Sequence, residues 1–241
     1  ESFKKTPNII GISKGGKLFE LLENKGVTEY VKMPDGLQPR AAIGYSFSLM
    51  LMMLNKIGFI DESLVKNLKD SIVSLKNKTK EYSIENLDNI AYSIACEIYN
   101  KNPLIYAEEG IFNVIGYRFK CQLVENSKVL AFNNAIPEMN HNEIEAFTEK
   151  VNKKKNFIVI WINDSTYHER NKKRIKIVSN IWKNKIKNQF FLKIDLKNDE
   201  NKILKYLSYI HLVDWISYHV AILNKIDPSI IPNINELKKS L

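Results

Sequence analysis

Apolar residues occur along the chain in two arrangements, short continuous runs and longer segments with apolar positions three and four residues apart. The first arrangement is typical of buried strands and the second of amphipathic helices. The short runs predict six strands, at 9–13, 27–33, 104–107, 129–132, 156–162 and 189–194. The run at 156–162, Asn-Phe-Ile-Val-Ile-Trp-Ile, is apolar on both faces, as strands of a covered parallel sheet are.

Segments with helical spacing lie between these strands. Pro39 can begin one of them because proline is tolerated at the first position of a helix, and Asp61 caps the next. The predicted helices cover 17–25, 39–57, 61–75, 83–99, 111–126, 170–183, 200–225 and 234–241. Strands that alternate with helices predict an α/β fold on a mainly parallel sheet.

The length of 241 residues allows one large domain or two modest ones. The segment 76–81, Lys-Asn-Lys-Thr-Lys-Glu, has no apolar position, so we expect a connector there. It divides the chain into residues 1–78 and a second domain at 79–241. A strand-like run begins already at about residue 9, and we therefore expect further sequence before Glu1 in the natural product.

Composition narrows the class of protein. The chain is 44% hydrophobic and 26% charged, which excludes a wholly disordered protein. The most apolar stretch, 41–60, is interrupted by polar residues such as Ser46 and Asn55, so it predicts a buried helix and no membrane partner. Two cysteines, Cys96 and Cys121, are too few for a disulfide framework and fit a reducing, cytoplasmic environment.

Lysine and arginine outnumber aspartate and glutamate by 36 to 27, and the net charge of +9 favours anionic partners. Phosphorylated metabolites and nucleic acids both qualify. The basic runs at 153–155 and 172–174 have no aromatic residues interleaved with them, and no known nucleic-acid fold is evident. Solvated protein surface is the simpler interpretation, so no nucleic-acid partner is expected.

Common cofactor motifs do not occur in the sequence: there is no glycine-rich dinucleotide turn, phosphate loop, paired Cys-x-x-Cys or His-Glu-x-x-His. His211 and His219 flank Asp214 on one predicted helix. Eight residues rotate a helix by roughly 80°, so the two imidazoles do not face the same way. We expect no metal there, and for His168 we expect a solvated helix start.

One polar region has groups that a hydrophobic core does not need. Glu125 ends the helix predicted at 111–126, and Asn133 and Asn134 predict a loop after the strand at 129–132. His141 follows in the segment 136–144, Ile-Pro-Glu-Met-Asn-His-Asn-Glu-Ile. From the residues alone, a surface carboxylate and a loop histidine remain the simpler interpretations of Glu125 and His141.

Four segments carry a resemblance to a known family: 38–47 (Gln-Pro-Arg-Ala-Ala-Ile-Gly-Tyr-Ser-Phe), 125–128 (Glu-Asn-Ser-Lys), 137–144 (Pro-Glu-Met-Asn-His-Asn-Glu-Ile) and 234–238 (Ile-Asn-Glu-Leu-Lys). In this order and spacing they resemble the bifunctional phosphoglucose/phosphomannose isomerases, archaeal and bacterial members of the SIS sugar-isomerase superfamily. The resemblance extends from about residue 9 to residue 241.

The resemblance implies two SIS-type domains with flavodoxin-like parallel sheets and flanking helices. Family members hold the sugar phosphate with a Gly-Gly-Ser-Gly turn and a Ser-x-Ser-Gly-Asn-Thr loop in the first domain. Neither motif occurs in these 241 residues, so the first domain is incomplete in this chain. The turn Ser-Lys-Gly-Gly at 13–16 corresponds to a later turn of that domain.

The implied reaction interconverts glucose 6-phosphate or mannose 6-phosphate with fructose 6-phosphate through an enediol, and the resemblance implies no cofactor or metal. Glu125 would be the general base that moves the proton between C1 and C2. His141 would act in ring opening and reach the site from the other subunit of a homodimer. Lys238 would assist ring opening, and Arg40 would stabilise the enediolate charge; Arg40, His141 and Lys238 would also bind substrate.

A different class of function remains open. SIS domains also serve as regulatory modules, so the alternative is a non-catalytic domain that binds a sugar phosphate. A sensor of this kind has no need of a proton-transferring carboxylate, and the presence of Glu125 together with His141, Arg40 and Lys238 favours the isomerase.

Overall fold

The computed structural model describes residues 9–27, 29–148, 156–196 and 201–241. The chain divides into two compact units, residues 1–72 and 73–241, and the division lies inside a single helix. No helix among the described residues is long and apolar enough to cross a membrane.

The first unit has a two-stranded parallel sheet. Its elements are β1 (Gly11–Ser13), α1 (Gly16–Asn24), β2 (Tyr30–Lys32), α2 (Ile43–Lys56) and the first part of α3 (Glu62–Tyr82). Leu22 of α1 is buried against β1, and a side chain at position 11 would collide with it. Glycine at this position therefore allows α1 to lie directly on β1.

The charged segment 76–81, predicted as a connector, is instead helical, because α3 continues to Tyr82. Lysine and glutamate are good helix formers, and the segment contains no proline or glycine that would end a helix. Lys78 also pairs with Glu81 one turn on, at 2.8 Å. The domain boundary proposed at 78/79 lies within this helix, six residues beyond the division between the two units.

The second unit begins with the last part of α3. It then contains α4 (Ile90–Ile98), β3 (Asn102–Glu108), α5 (Ile111–Ser127), β4 (Phe132–Ile136), β5 (Phe157–Ile162), α6 (Glu169–Trp182), β6 (Gln189–Leu192), α7 (Lys202–Leu223) and α8 (Pro232–Ser240). The four strands form a parallel sheet in the order β4-β3-β5-β6. This arrangement confirms the predicted α/β fold.

The centre of the sheet is buried on both faces. Residues 158–162 of β5 are each at most 1% exposed, which confirms the strand predicted from that apolar run. Tyr106 of β3, Trp161 of β5 and Trp182 of α6 form an aromatic cluster with ring centroids 5.2 to 5.7 Å apart. Aromatic side chains bury large areas of apolar surface, so this cluster holds α6 on the sheet.

Two predicted elements in this unit are displaced by several residues. The helix predicted over 83–99 begins only at Ile90, because the Asn89 side chain caps it by accepting a hydrogen bond from the Tyr92 amide. The strand predicted at 129–132 lies at 132–136, so Asn133 is in the strand and not in a loop. Its side-chain amide donates to the Ile105 carbonyl at 3.2 Å, a tertiary contact that overrides the low strand propensity of asparagine.

A buried ion pair lies at the carboxyl end of β5. Lys205 of α7 and Asp164 are 3.3 Å apart, and both side chains are almost completely buried. The Asp164 carboxylate also accepts hydrogen bonds from the Thr166 amide and hydroxyl and from the Tyr209 hydroxyl. These contacts connect the loop after β5 to α7, and burial together with Asp164 raises the pKa of Tyr209.

Replacing Lys205 alone with methionine is expected to destabilise the second unit by about 3–5 kcal/mol, because Asp164 is left as an uncompensated buried charge. The double variant Asp164→Asn/Lys205→Met removes both charges and should recover part of this loss. Urea unfolding followed by circular dichroism measures the unfolding free energy of both variants. An equal loss of unfolding free energy in the two variants would contradict the interpretation.

Candidate active site

The crossover from β3 through α5 to β4 determines where Glu125 lies. α5 begins three residues after β3 ends, at the carboxyl edge of the sheet, and returns the chain to the amino end of the parallel strand β4. Glu125 is in the last turn of α5 and is half-buried. It therefore lies at the amino edge of this sheet.

Lys128 holds the end of α5 against the chain that precedes α8. Its ammonium donates to the Glu125 carbonyl and to the Ile230 carbonyl, both at 2.6 Å. Lys128 itself is in the left-handed conformation that ends the helix (φ 56°). Pro232 begins α8 two residues after Ile230, so the structure brings the start of α8 to the Glu125 end of α5.

Lys238 is exposed in the last turn of α8. Six residues separate it from Pro232, which corresponds to about 9 Å along the helix axis. The structure thus places Lys238 on the element that starts beside the end of α5.

Polar contacts with α7 fix the second half of α5. Arg118 binds the Asp214 carboxylate through two nitrogens, at 3.0 and 2.7 Å, and Gln122 donates to the same carboxylate at 2.9 Å. One turn further, Ser127 donates to the Ser217 carbonyl at 2.6 Å. Burial raises the pKa of Asp214, an effect that Arg118 opposes. The sequence alone does not reveal this network, although Arg118 and Gln122 share one helix face at i and i+4.

His211 and His219, considered above as metal ligands, have other partners. His211 accepts a hydrogen bond from the Trp215 indole at 3.2 Å, and the ring of His219 lies 2.7 Å from the Tyr82 carbonyl. Burial lowers the pKa of both imidazoles. Across the described part of the chain, no three His, Cys, Asp or Glu side chains are grouped so that they could hold a metal ion.

His141 lies at the opposite edge of the sheet from Glu125. It is the last residue of a 3-10 helix, Glu138–His141, that follows the carboxyl end of β4, and its side chain is exposed. Within one chain, Glu125 and His141 are separated along the strand direction by the length of β4. A five-residue strand is about 16 Å long, so a single subunit does not bring these two side chains together.

The turns around His141 are attached firmly to the sheet. Both carboxylate oxygens of Glu143 are bound at 2.7 Å, one by the Tyr106 hydroxyl and one by the Asn134 side chain. The Trp182 indole donates to the Ile144 carbonyl at 3.2 Å, and Met139 is completely buried. Burial and the nearby Glu143 raise the pKa of Tyr106. Glu143 and Asn134 thus hold the turns around His141 in place, which the sequence alone does not reveal.

Arg40 belongs to the first unit. It is half-buried in a 3-10 helix, Pro39–Ala41, directly before α2, where the sequence predicted the first turn of a helix beginning at Pro39.

His168 caps the start of α6, as predicted: its ring nitrogen accepts a hydrogen bond from the Arg170 amide.

Comparison with known proteins identifies the family. Residues 87–241 match the family described as "Bacterial phospho-glucose isomerase C-terminal SIS domain". A bifunctional phosphoglucose/phosphomannose isomerase from Caldicellulosiruptor bescii is 33% identical over 98% of this chain and 69% of its own length. The chain belongs to this family. A relative of the same description from Thermoplasma volcanium is 32% identical over 100% of this chain and 71% of its own length.

Solved structures show the same fold. A putative phosphosugar isomerase from Clostridium difficile superposes with a TM-score of 0.63 at 18% identity, over 100% of this chain and 78% of that protein. A glucose-6-phosphate isomerase-like protein from Thermus thermophilus superposes with a TM-score of 0.62 at 13% identity, over 96% of this chain and 78% of that protein. Both confirm the SIS-type α/β architecture.

Replacing Tyr106 with phenylalanine removes one hydrogen bond to the Glu143 carboxylate. Hydrogen bonds to charged groups contribute about 1.5–3 kcal/mol, so we expect residues 138–146 to open more often. Hydrogen exchange should show amides of this segment exchanging at least about tenfold faster. Tyr99→Phe, at an exposed tyrosine directly after α4, is the matched control. Unchanged exchange in Tyr106→Phe would contradict the anchoring role of Glu143.

Proposed function

We propose that the protein is an aldose–ketose isomerase that interconverts glucose 6-phosphate or mannose 6-phosphate with fructose 6-phosphate. Relatives that share about a third of their residues with nearly the whole of this chain are named as bifunctional isomerases for these two sugars. The observation that carries the proposal is the half-buried Glu125 on a helix end that Lys128 and the contacts with α7 hold in place.

The reaction needs one base that reaches two neighbouring carbons. Glu125 removes the proton from C2 of the open-chain aldose, the C2–H electron pair forms the C1–C2 double bond, and the π pair of the C1 carbonyl moves to O1, which takes up a proton. The same carboxyl group then returns its proton to C1; the electron pair of the C1–C2 double bond forms the C1–H bond, and O2 loses its proton as the C2 carbonyl of the ketose forms. General bases contribute typically about 10²–10⁴-fold to the rate, and a rigid helix end keeps this carboxylate in reach of both carbons.

The remaining groups act on the oxygens of the substrate. The sugar ring must open before C2 is accessible, and His141 transfers the proton between the ring oxygen and the C1 hydroxyl, with Lys238 as its assistant. Arg40 stabilises the negative charge that develops on the enediolate oxygen. Fixed charged donors of this kind lower the barrier by about 2.7–4 kcal/mol. The net charge of +9 attracts the dianionic substrate.

A homodimer accounts for the positions of Glu125 and His141. Two copies related by a two-fold axis can place the carboxyl edge of one sheet beside the amino edge of the other, and the symmetry creates two equivalent sites. Large apolar side chains that α5 leaves exposed, Ile111, Val114 and Tyr117, supply surface that a second copy can cover. Each site then combines Glu125 of one subunit with the partner subunit's His141.

The cytoplasm is the proposed location. The two cysteines, Cys96 on α4 and Cys121 on α5, are both free thiols, which is the state that a reducing compartment maintains.

Glu125→Gln keeps the size of the side chain and removes its basicity. In the full-length protein, kcat for the conversion of fructose 6-phosphate is expected to fall by roughly 10²–10⁴-fold with little change in KM. Glu85→Gln, at an exposed glutamate of the same unit, is the control and should retain full activity. Wild-type kcat in Glu125→Gln would overturn the proposal; binding of sugar phosphate without turnover in the wild type would favour the regulatory module.

Subunit complementation tests the shared site. Glu125→Gln and His141→Gln are each expected to be nearly inactive, but a heterodimer of the two contains one site with both residues intact. Co-expression in equal amounts should therefore restore about one quarter of wild-type activity, because half of the dimers are mixed and half of their sites are intact. Absence of recovery in purified mixed dimers would show that His141 does not act across the interface.

A further inference from the structure

A cleft at the carboxyl edge of the second sheet is separate from the residues assigned to isomerisation. Its volume is about 510 Å³, within the range of roughly 300–1,000 Å³ that small-molecule sites occupy. The loop at 163–165 after β5, the side of α6 and the end of β6 form its walls. Ligands of α/β proteins bind preferentially at this edge of the sheet.

Three lysines from two elements line this cleft. Lys172 and Lys176 lie four residues apart on one face of α6, and Lys193 follows the last residue of β6 on the other side. Like charges at this helical spacing repel each other and cost folding free energy. An anion between the two walls would remove this repulsion.

Among the described residues, the acidic side chains at the cleft are either already compensated or exposed. Asp164 lines it, but Lys205 and the hydrogen bonds from Thr166 and Tyr209 already compensate that carboxylate. Lys172 pairs with Glu169, whose side chain is 85% exposed, and Lys193 pairs with Asp195, which is 80% exposed.

Such surface pairs contribute little free energy, and a phosphate can replace them at low cost. Lys176 has no carboxylate within ion-pair distance in the part of the chain that the structure describes. The described residues that line the cleft therefore carry three lysines against one aspartate, a net positive charge.

The other walls suit a small polar molecule. Ile175 and Phe191 give the cleft an apolar side, and the ring of Phe191 stacks on Trp161 at 6.5 Å, which connects that side to the core. Ser165 and Asn163 supply a hydroxyl and an amide at the loop. Lysine ammonium groups are common binders of phosphate oxygens in proteins.

We propose that this cleft is a second, non-catalytic binding site for a phosphate group, carried by a small metabolite or present as the free ion. Lys172, Lys176 and Lys193 hold the phosphate oxygens. The site lies at the edge of the sheet opposite to Glu125, and its occupancy does not depend on the isomerase activity.

Lysine acetylation followed by peptide mass spectrometry shows which lysines a bound phosphate protects. The chain is treated with an acetylating reagent in low salt, alone and with inorganic phosphate or ribose 5-phosphate. We expect phosphate to slow the modification of Lys172, Lys176 and Lys193 at least about threefold and to leave the exposed Lys183 unchanged. If neither ligand slows the acetylation of Lys172, Lys176 and Lys193 more than that of Lys183, the proposal is overturned.

Calorimetric titration of paired variants measures the affinity. Lys172→Gln/Lys176→Gln is expected to weaken phosphate binding roughly a hundredfold, since each of the two charged partners lost weakens a complex about tenfold. The control Lys183→Gln/Lys187→Gln changes the net charge equally and should bind as the wild type does. Equal weakening in both would mean that only the overall charge matters and would overturn the proposal.

The two ligands distinguish the source of the phosphate. Tighter binding of ribose 5-phosphate assigns the site to a phosphorylated metabolite, and equal affinity assigns it to the free ion. Because acetylation reports on individual lysines, binding at the proposed catalytic site is not mistaken for binding here. Loss of isomerase activity in Glu125→Gln leaves the result at the cleft unchanged.

Discussion

Parallel pairing of β3 with β4 requires the chain to return along the whole length of the sheet between the two strands, and α5 makes that return. The end of α5 and the loop after β4 are therefore forced to opposite edges of the sheet. Glu125 and His141 lie at these two places. The reaction proposed above needs both a base and a ring-opening group, and under that proposal the separation requires a second subunit at each site.

Each of the two edges has its own rigid support. At the amino edge, Lys128 joins the end of α5 to the chain before α8, and Ser127 joins it to α7. At the carboxyl edge, Glu143 ties the turns around His141 to the sheet through Tyr106 and Asn134. Both sets use hydrogen bonds to charged groups or to buried carbonyls, which are costly to leave unmade. In the mechanism proposed above, proton transfer would benefit because both groups are held in place before substrate binds.

The positively charged residues of this protein serve two different purposes. Arg118 and Lys205 are committed to holding α5 and the loop after β5 on α7, through Asp214 and Asp164. Lys172, Lys176 and Lys193 instead line a cleft, where Lys172 and Lys193 pair with the exposed carboxylates of Glu169 and Asp195. The same residue type thus serves internal cohesion where it is buried and ligand attraction where it lies in a cleft.

The sequence by itself determined the alternation of strands and helices, because the apolar run at 156–162 and the spacing of the helices reflect burial directly. It also determined the family, through the segments around Glu125 and His141. Only the tertiary structure decided that Asn133 belongs to a strand and that Glu143 anchors the loop of His141. These outcomes depend on contacts between residues distant in sequence, which local propensity does not encode.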